Sequence, residues 1–223
     1  MSDLKNLIVS PERKARRILA GPFKGITMNL SLRSQTQIYL GLFEKETHPW
    51  LDWLSKDIAT ALDIGAAHGE YTLYFLAKTK VTKVFAFEPD VSSFPYLQEN
   101  LRLNALSQSD RVEFCSKFLG ASDAGEEIRL DSFAASVRTP CFIKMDVDGF
   151  EEQILKGAKA INALSDVRWL IETHSKKLES TCEEILTAAG FQTRIIPNAG
   201  WRFFIPEQRP IPHNRWLAAW KSQ

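Results

Sequence analysis

From about residue 57 onward the chain alternates short, nearly continuous apolar runs with segments of helical period. Ala61 to Ile64, Val84 to Phe87, Cys141 to Met145 and Val167 to Ile171 read as buried strands. Arg111 to Cys115 adds another, and Ile128 to Phe133 a short one inside a loop-rich stretch. Helices are predicted over Tyr71–Lys78, around Phe94, Leu97 and Leu101, over Glu151–Leu164 and over Leu178–Ala189, the last stopped by Gly190. Strands and helices in this order wind a parallel sheet, an α/β architecture. Gly157 interrupts the Glu151–Leu164 pattern at a cost of about 1 kcal/mol relative to alanine, which predicts close packing there.

The two ends depart from this rhythm. Phe191–Ile196 and Trp201–Ile205 are separated only by P-N-A-G, too short for a crossover helix, so an antiparallel pair is predicted. The tail after Pro206 reads as irregular, with Trp216 and Trp220 docking its end. Near the other end, G-P-F-K-G at Gly21–Gly25 lies between I-L-A and I-T-M-N-L-S-L and predicts a β-hairpin, and Gln37–Leu54 reads as helical. Arg13, Lys14, Arg16 and Arg17 form a basic run ahead of the hairpin, read as a short helix or strand with a solvated face. The organisation expected is an extension, residues 1–55, packed on an α/β domain, residues 56–223.

Composition narrows the partners. A chain of 223 residues supports one domain with a full core. A net charge of +1 gives no field to recruit nucleic acid or a membrane, so neither is expected as a partner. Cys115, Cys141 and Cys182 are an odd set without a C-x-x-C, arguing against a disulfide framework or a zinc knuckle and for a reducing, cytoplasmic setting. No run approaches the roughly 20 apolar residues of a membrane span, and M-S-D-L-K-N-L-I-V-S lacks a signal core, so a soluble, unprocessed protein is expected. Oligomeric state is not indicated.

Chemistry concentrates where the apolar runs stop. Ala61–Gly69, A-L-D-I-G-A-A-H-G, carries Asp63 and breaks into a turn in which Gly65 and Gly69 permit close approach of a ligand. The other runs end in Glu88-Pro89-Asp90, Asp146-Val147-Asp148-Gly149 and Glu172-Thr173-His174. Right-handed crossovers put all these carboxyl ends on one edge of a parallel sheet, so Asp63, Glu88, Asp146, Glu172 and His174 are expected to converge.

The stretches D-I-G-A-A-H-G-E-Y-T (Asp63–Thr72), F-A-F-E-P-D (Phe85–Asp90), L-D-S-F (Leu130–Phe133), I-K-M-D-V-D-G-F-E-E-Q-I-L-K-G-A (Ile143–Ala158) and I-E-T-H (Ile171–His174) resemble the FkbM family of S-adenosylmethionine-dependent methyltransferases. His68, Ala67 and Asp148 are small departures from its pattern. The resemblance implies a Rossmann-like class I methyltransferase fold: a mostly parallel seven-stranded sheet with a terminal antiparallel hairpin. It implies S-adenosylmethionine as cofactor and a small-molecule acceptor. Gly65, Ala66, Ala67 and Gly69 would line its methionine part, with Asp63 ordering the loop, Glu88 accepting from both ribose hydroxyls and Leu119 touching adenine. Asp146, Glu172 and His174 would form the catalytic set, serving O-methylation of a small molecule or sugar-containing metabolite.

An alcohol is a poor nucleophile at neutral pH, so a base, His174 or Asp146, or a divalent metal must assist. No residue set is assigned to a metal, although Asp146 and Glu172 offer oxygens that Mg²⁺ accepts, and the sequence leaves base and ion as alternatives. A dinucleotide-dependent oxidoreductase would need glycine where Ala67 stands. A base methyltransferase would show [DN]-P-P-[YF] where D-V-D-G stands, and Cys141 begins its strand and reads as core. The remaining rival is a cofactor-binding module without chemistry, against which Asp146 and His174 argue.

Overall fold

The computed structural model describes residues 11–199, 202, 213 and 215–221. Strands β1 (Arg13–Arg17) and β2 (Thr27–Ser31) pair antiparallel across the Gly21–Gly25 turn, as predicted. The basic run is therefore a strand. The single helix expected over Gln37–Leu54 is instead two, α1 (Leu32–Leu40) and α2 (His48–Leu54), with a tight 3-10 turn at Lys45–Thr47 between them. Packing forces the break, because a Cβ on Gly41 would lie 2.2 Å from the carbonyl oxygen of Ala20 in the hairpin. Pro49 then opens α2 from its first turn, where a missing N–H costs nothing.

The alternating region follows as β3 (Thr60–Ile64), α3 (Glu70–Lys78), β4 (Lys83–Phe87), α4 (Phe94–Leu103) and β5 (Val112–Cys115). Next come the short parallel pair β6 (Phe118–Gly120) and β7 (Glu127–Arg129), then β8 (Cys141–Met145). The strand expected over Ile128–Phe133 stops at Arg129, and Leu130–Ser136 is a 3-10 turn. The helix expected over Glu151–Leu164 is likewise divided into α5 (Glu151–Lys156) and α6 (Lys159–Ala163). Gly157 is the reason: its absent Cβ would meet the Gly120 carbonyl oxygen at 2.0 Å. Asp131 of the L-D-S-F motif restarts the helix, its carboxylate accepting from Ala160 N at 2.8 Å and Ile161 N at 3.0 Å.

Strand β9 (Val167–Thr173), α7 (Lys176–Ala188), β10 (Gln192–Ile196) and β11 (Arg215–Trp220) complete the fold. The central sheet has seven strands in the order β10-β11-β9-β8-β3-β4-β5, parallel except for β11, which runs antiparallel to both neighbours. The terminal antiparallel hairpin is thus present, but its second strand is β11, where an irregular tail was expected. R-W-L-A-A-W buries Trp216 to Ala219 between β9 and β10, and this gap in the sheet supplies the partners that make an apolar hexapeptide a strand. The strand expected over Trp201–Ile205 lies, apart from Arg202, outside the described residues.

One apolar cluster packs the hairpin residues Ile18, Phe23, Met28 and Leu30 with α3 and α4 on one face of the sheet. A second, around Phe85, Ile143 and Trp169, fills the other face beneath α5, α6 and α7. The hairpin, α1 and α2 thus cover the face on which Asp63 and Lys144, paired across β3 and β8, project beside Tyr71.

Candidate active site

Strand register sets the geometry. Ile64, Phe87, Met145 and Ile171 form one row across β4, β3, β8 and β9, so the next residues, Gly65, Glu88, Asp146 and Glu172, emerge side by side at the carboxyl edge. Sheet order reverses between β3, whose chain continues to β4 and β5, and β8 on its other side, and the crevice at such a reversal is where α/β sheets bind ligands. The groove at the opposite edge, by Trp53, Pro140 and Trp220, lies at the amino ends of the strands.

A buried ammonium organises the acids. Lys144 is 4 % exposed, donates to the Gly65 carbonyl oxygen at 3.0 Å, and lies 3.8 Å from Asp63 Oδ1 and 3.9 Å from Asp146 Oδ2. Its ammonium also stands 5.0 Å over the Tyr71 ring. Burial alone would lower the Lys144 pKa, but the carboxylates of Asp146, Asp63, Glu44 and Glu172 outweigh it and raise it. Asp63 is fully buried, and burial raises its pKa against the opposing pull of Lys144 and of Thr72, whose hydroxyl donates to Oδ2 at 2.6 Å. Tyr71 donates its hydroxyl to Glu44, which the link between α1 and α2 brings into the cluster.

A second group surrounds His174. Its Nδ1 lies 2.5 Å from Oε1 of the fully buried Glu151, which also accepts from Gly149 N at 3.2 Å. Nε2, on the other side of the ring, faces Asp146 Oδ1 at 3.4 Å and Asp148 Oδ1 at 3.2 Å. Burial lowers the His174 pKa, yet the bond to Glu151 and the charges of Asp146, Glu151 and Asp148 prevail and raise it above its ordinary value. Two sets of ligand-type atoms share Asp146: one with Asp148 and His174, one with Glu44 and Glu172, each set within 4.8 Å.

The glycine loop is tied to β4. Gly65 N and Ala66 N both donate to Phe87 O at 3.0 Å, and Ala67 N donates to Glu88 Oε2 at 2.8 Å. The other Glu88 oxygen accepts from Asp90 N at 2.8 Å. Gly65 has φ 75°, and a Cβ there would lie 1.9 Å from the Asp146 carbonyl oxygen, so its close approach is first to the neighbouring strand. Gly69, φ 89°, starts α3 against Leu97. Ala67 also holds a positive φ, 45°, a conformation that glycine adopts more readily than alanine. Leu119 is buried in the apolar cluster with Phe87 and Met145, and touching adenine remains an expectation for it.

Several residues of the site are not singled out by the sequence motifs. Lys144, Tyr71, Glu44 and Glu151 are the partners of the expected acids, and the signal for Lys144 is a cation inside the apolar run F-I-K-M. Arg13 reaches the loop, its guanidinium 3.4 Å from His68 Nδ1 and 4.4 Å over the Tyr96 ring. Since a guanidinium only donates, Nδ1 accepts, and burial followed by the Arg13 charge lowers the His68 pKa.

Residues 126–193 match the family model described as Methyltransferase FkbM domain, so the resemblance to that family holds over this stretch. The methyltransferase FkbM of Methylobacillus flagellatus KT superposes with TM-score 0.58 at 20% identity, over 72% of this chain and 43% of that one. This chain therefore spans less than half of that protein's length. An S-adenosylmethionine-dependent O-methyltransferase from Thermotoga maritima gives 0.52 at 16% identity over 81% and 66% of the two chains. An rRNA methylase from Streptococcus thermophilus gives 0.54 at 14% identity over 79% and 96%. At these identities the likeness is one of fold, the mostly parallel α/β methyltransferase fold, and it is shared by proteins named for different acceptors. No curated protein sequence matches the chain. No helix among the described residues is long and apolar enough to cross a membrane.

Proposed function

We propose that the carboxyl edge of this sheet binds S-adenosylmethionine and directs its methyl group to a hydroxyl of a small molecule or sugar-containing metabolite. One observation carries the reading. Gly65, Glu88, Asp146 and Glu172 stand in register at the sheet's reversal point, and the last two lie in the stretch that matches the FkbM methyltransferase domain.

The residues fit such a ligand. The edge holds Asp63, Asp146, Glu44 and Glu172 around one ammonium, an excess of negative charge that favours a cation. Glu88 accepts one backbone N–H on each oxygen and keeps lone pairs for two ribose hydroxyls. Gly65 to Gly69 present backbone to the methionine part, and Asp63 with Thr72 and Lys144 fixes the strand from which that loop leaves. S-adenosylmethionine supplies an electrophilic methyl on a sulfonium. This chain's own contribution is positioning and proton removal: a hydroxyl beside Asp146 loses its proton to the Asp146–His174 pair, held from behind by Glu151 at Nδ1. Net charge of +1 favours a small acceptor over nucleic acid.

Calorimetric titration with S-adenosylmethionine and with NAD tests the reading. Binding of the first alone is expected, and Glu88→Ala should weaken it about a hundredfold, since two charge-assisted hydrogen bonds at roughly 1.5 kcal/mol each are lost. Equal affinity of the variant would refute the ribose assignment. Labelled cofactor and a panel of metabolite extracts, read by mass spectrometry, then report whether a hydroxyl gains the methyl, and a protein that binds but never transfers would be the silent module.

A further inference from the structure

We propose that Asp146, Asp148 and His174 ligate a divalent cation of the Mg²⁺ or Mn²⁺ class. The first ground is spacing. A six-coordinate ion with bonds of roughly 2.1–2.2 Å holds adjacent ligand atoms about 3.0–3.1 Å apart. His174 Nε2 lies 3.2 Å from Asp148 Oδ1 and 3.4 Å from Asp146 Oδ1, so it stands beside both at close to adjacent-ligand separation. All three atoms fall within 4.8 Å of one another.

The second ground is the support behind the imidazole. Glu151, fully buried, accepts at Nδ1 and is itself fixed by Gly149 N. A carboxylate there selects the tautomer whose Nε2 lone pair points away from Glu151, toward the two aspartates, the arrangement that metal-binding histidines use. A third ground separates this set from its neighbour. Asp146 turns Oδ2 toward Lys144 Nζ at 3.9 Å, on the side of Glu44 and Glu172, whereas its Oδ1, with Asp148 Oδ1, faces His174 Nε2. Access is open, because the Asp148 side chain is 84% exposed. The two carboxylate oxygens suit Mg²⁺ or Mn²⁺, the absence of sulfur disfavours soft ions, and three protein ligands leave positions for water or an acceptor hydroxyl.

The role of the ion rests on the methyl-transfer reading, but its binding does not. With the ion in place, His174 and Asp146 act as ligands, and the ion acidifies an acceptor hydroxyl that would otherwise need the pair as base. The experiment uses the full chain stripped with EDTA and titrated with MnCl₂, bound ion being read by electron paramagnetic resonance and calorimetry. One Mn²⁺ per chain is expected, displaced by MgCl₂, with ¹⁴N coupling from a directly bound imidazole. Asp148→Asn and His174→Gln should each weaken binding at least 10-fold, the latter abolishing the ¹⁴N signal, and Glu151→Gln should weaken it about 10- to 100-fold. Asp148 is at the surface, so its variant keeps the test valid if the buried ones fail to fold. No stoichiometric Mn²⁺ at millimolar concentration overturns the proposal, as does binding unchanged in Asp148→Asn. A parallel titration with S-adenosylmethionine separates the two readings: cofactor bound without Mn²⁺ removes the ion site alone, and Mn²⁺ bound without cofactor removes the methyl-transfer reading alone.

Discussion

Lys144→Met is the substitution that most directly tests the charge architecture of the edge. Methionine matches the length of the lysine stem, so the change removes the ammonium with little change in packing. At an effective dielectric of about 20, unit charges 3.8 and 3.9 Å apart attract by about 4 kcal/mol each, so the gross loss toward Asp63 and Asp146 is large. Recovered desolvation of the lysine offsets part of it, and breaking a buried pair from one side typically costs about 3–5 kcal/mol. For a chain of this size that corresponds to a fall in Tm of roughly 6–11 °C. The pH dependence has a definite sign. Asp63 already has a raised pKa, and without Lys144 it rises further, so the folded state holds a proton that the unfolded state has released. Stability of the variant then falls as pH rises above the ordinary carboxylate range, and its deficit is larger at pH 7.5 than at pH 5. Adding Asp63→Asn should recover part of the loss by removing the stranded charge. The assay is thermal and urea unfolding followed by circular dichroism at both pH values. A Tm within 2 °C of the parent at pH 7.5 would refute the reasoning, as would a deficit independent of pH.

Glu70, at the start of α3, has its pKa pushed up to about 7 by burial, so it takes up a proton on folding and its contribution weakens as pH rises from about 4.5 to 7. Glu70→Gln should therefore flatten the Tm against pH profile across that window, by about 1–2 kcal/mol after allowance for solvent at its partly exposed side chain, and parallel profiles would show the assignment wrong. Gly65→Ala should destabilise the protein without any ligand by more than about 3 kcal/mol, because its methyl would meet the Asp146 carbonyl oxygen and its φ is positive; an unshifted urea midpoint would contradict this. Tyr71→Phe leaves Glu44 without the buried hydroxyl that donates to it and should cost about 1–3 kcal/mol, read by the same unfolding curves.

The legible part of the fold was the part whose signal is local. Continuous apolar runs gave β3, β4, β8 and β9 to within a residue or two, because a strand covered on both faces has no polar register to obscure it. Helix breaks were less legible. Gly157 signalled close packing, but its partner Gly120, like Ala20 beside Gly41, is far away in sequence, and helical periodicity does not show that such a contact divides the helix. Strand β11 failed for a related reason. R-W-L-A-A-W is an apolar run like those of β3 and β9, but it follows Pro206, Pro210 and Pro212 in a stretch that reads as an irregular tail, and the slot between β9 and β10 that holds it is a property of the folded sheet.

At the site, the acids that end apolar runs were legible, whereas Glu44, Glu151 and the Lys144 ammonium were not, and that asymmetry has a physical origin. A carboxylate at the end of an apolar run marks a strand terminus in the sequence itself. Lys144 lies inside a run, at a position where both faces of the sheet are covered, and a buried ammonium there is tenable only with acids beside it. The register supplies them: Asp63 is its direct neighbour across β3 and β8, and Asp146 is two residues on, on the same face. A lysine in a central parallel strand is thus, in its own right, a statement about the neighbouring strand. Its cost to the fold is offset because Asp63 and Asp146 stand 3.8 and 3.9 Å from the ammonium, so lysine and acids lower one another's burial cost. The violation of the apolar rule inside β8 thus sets one positive charge amid the acids of the edge, where it opposes the effect of burial on Asp63.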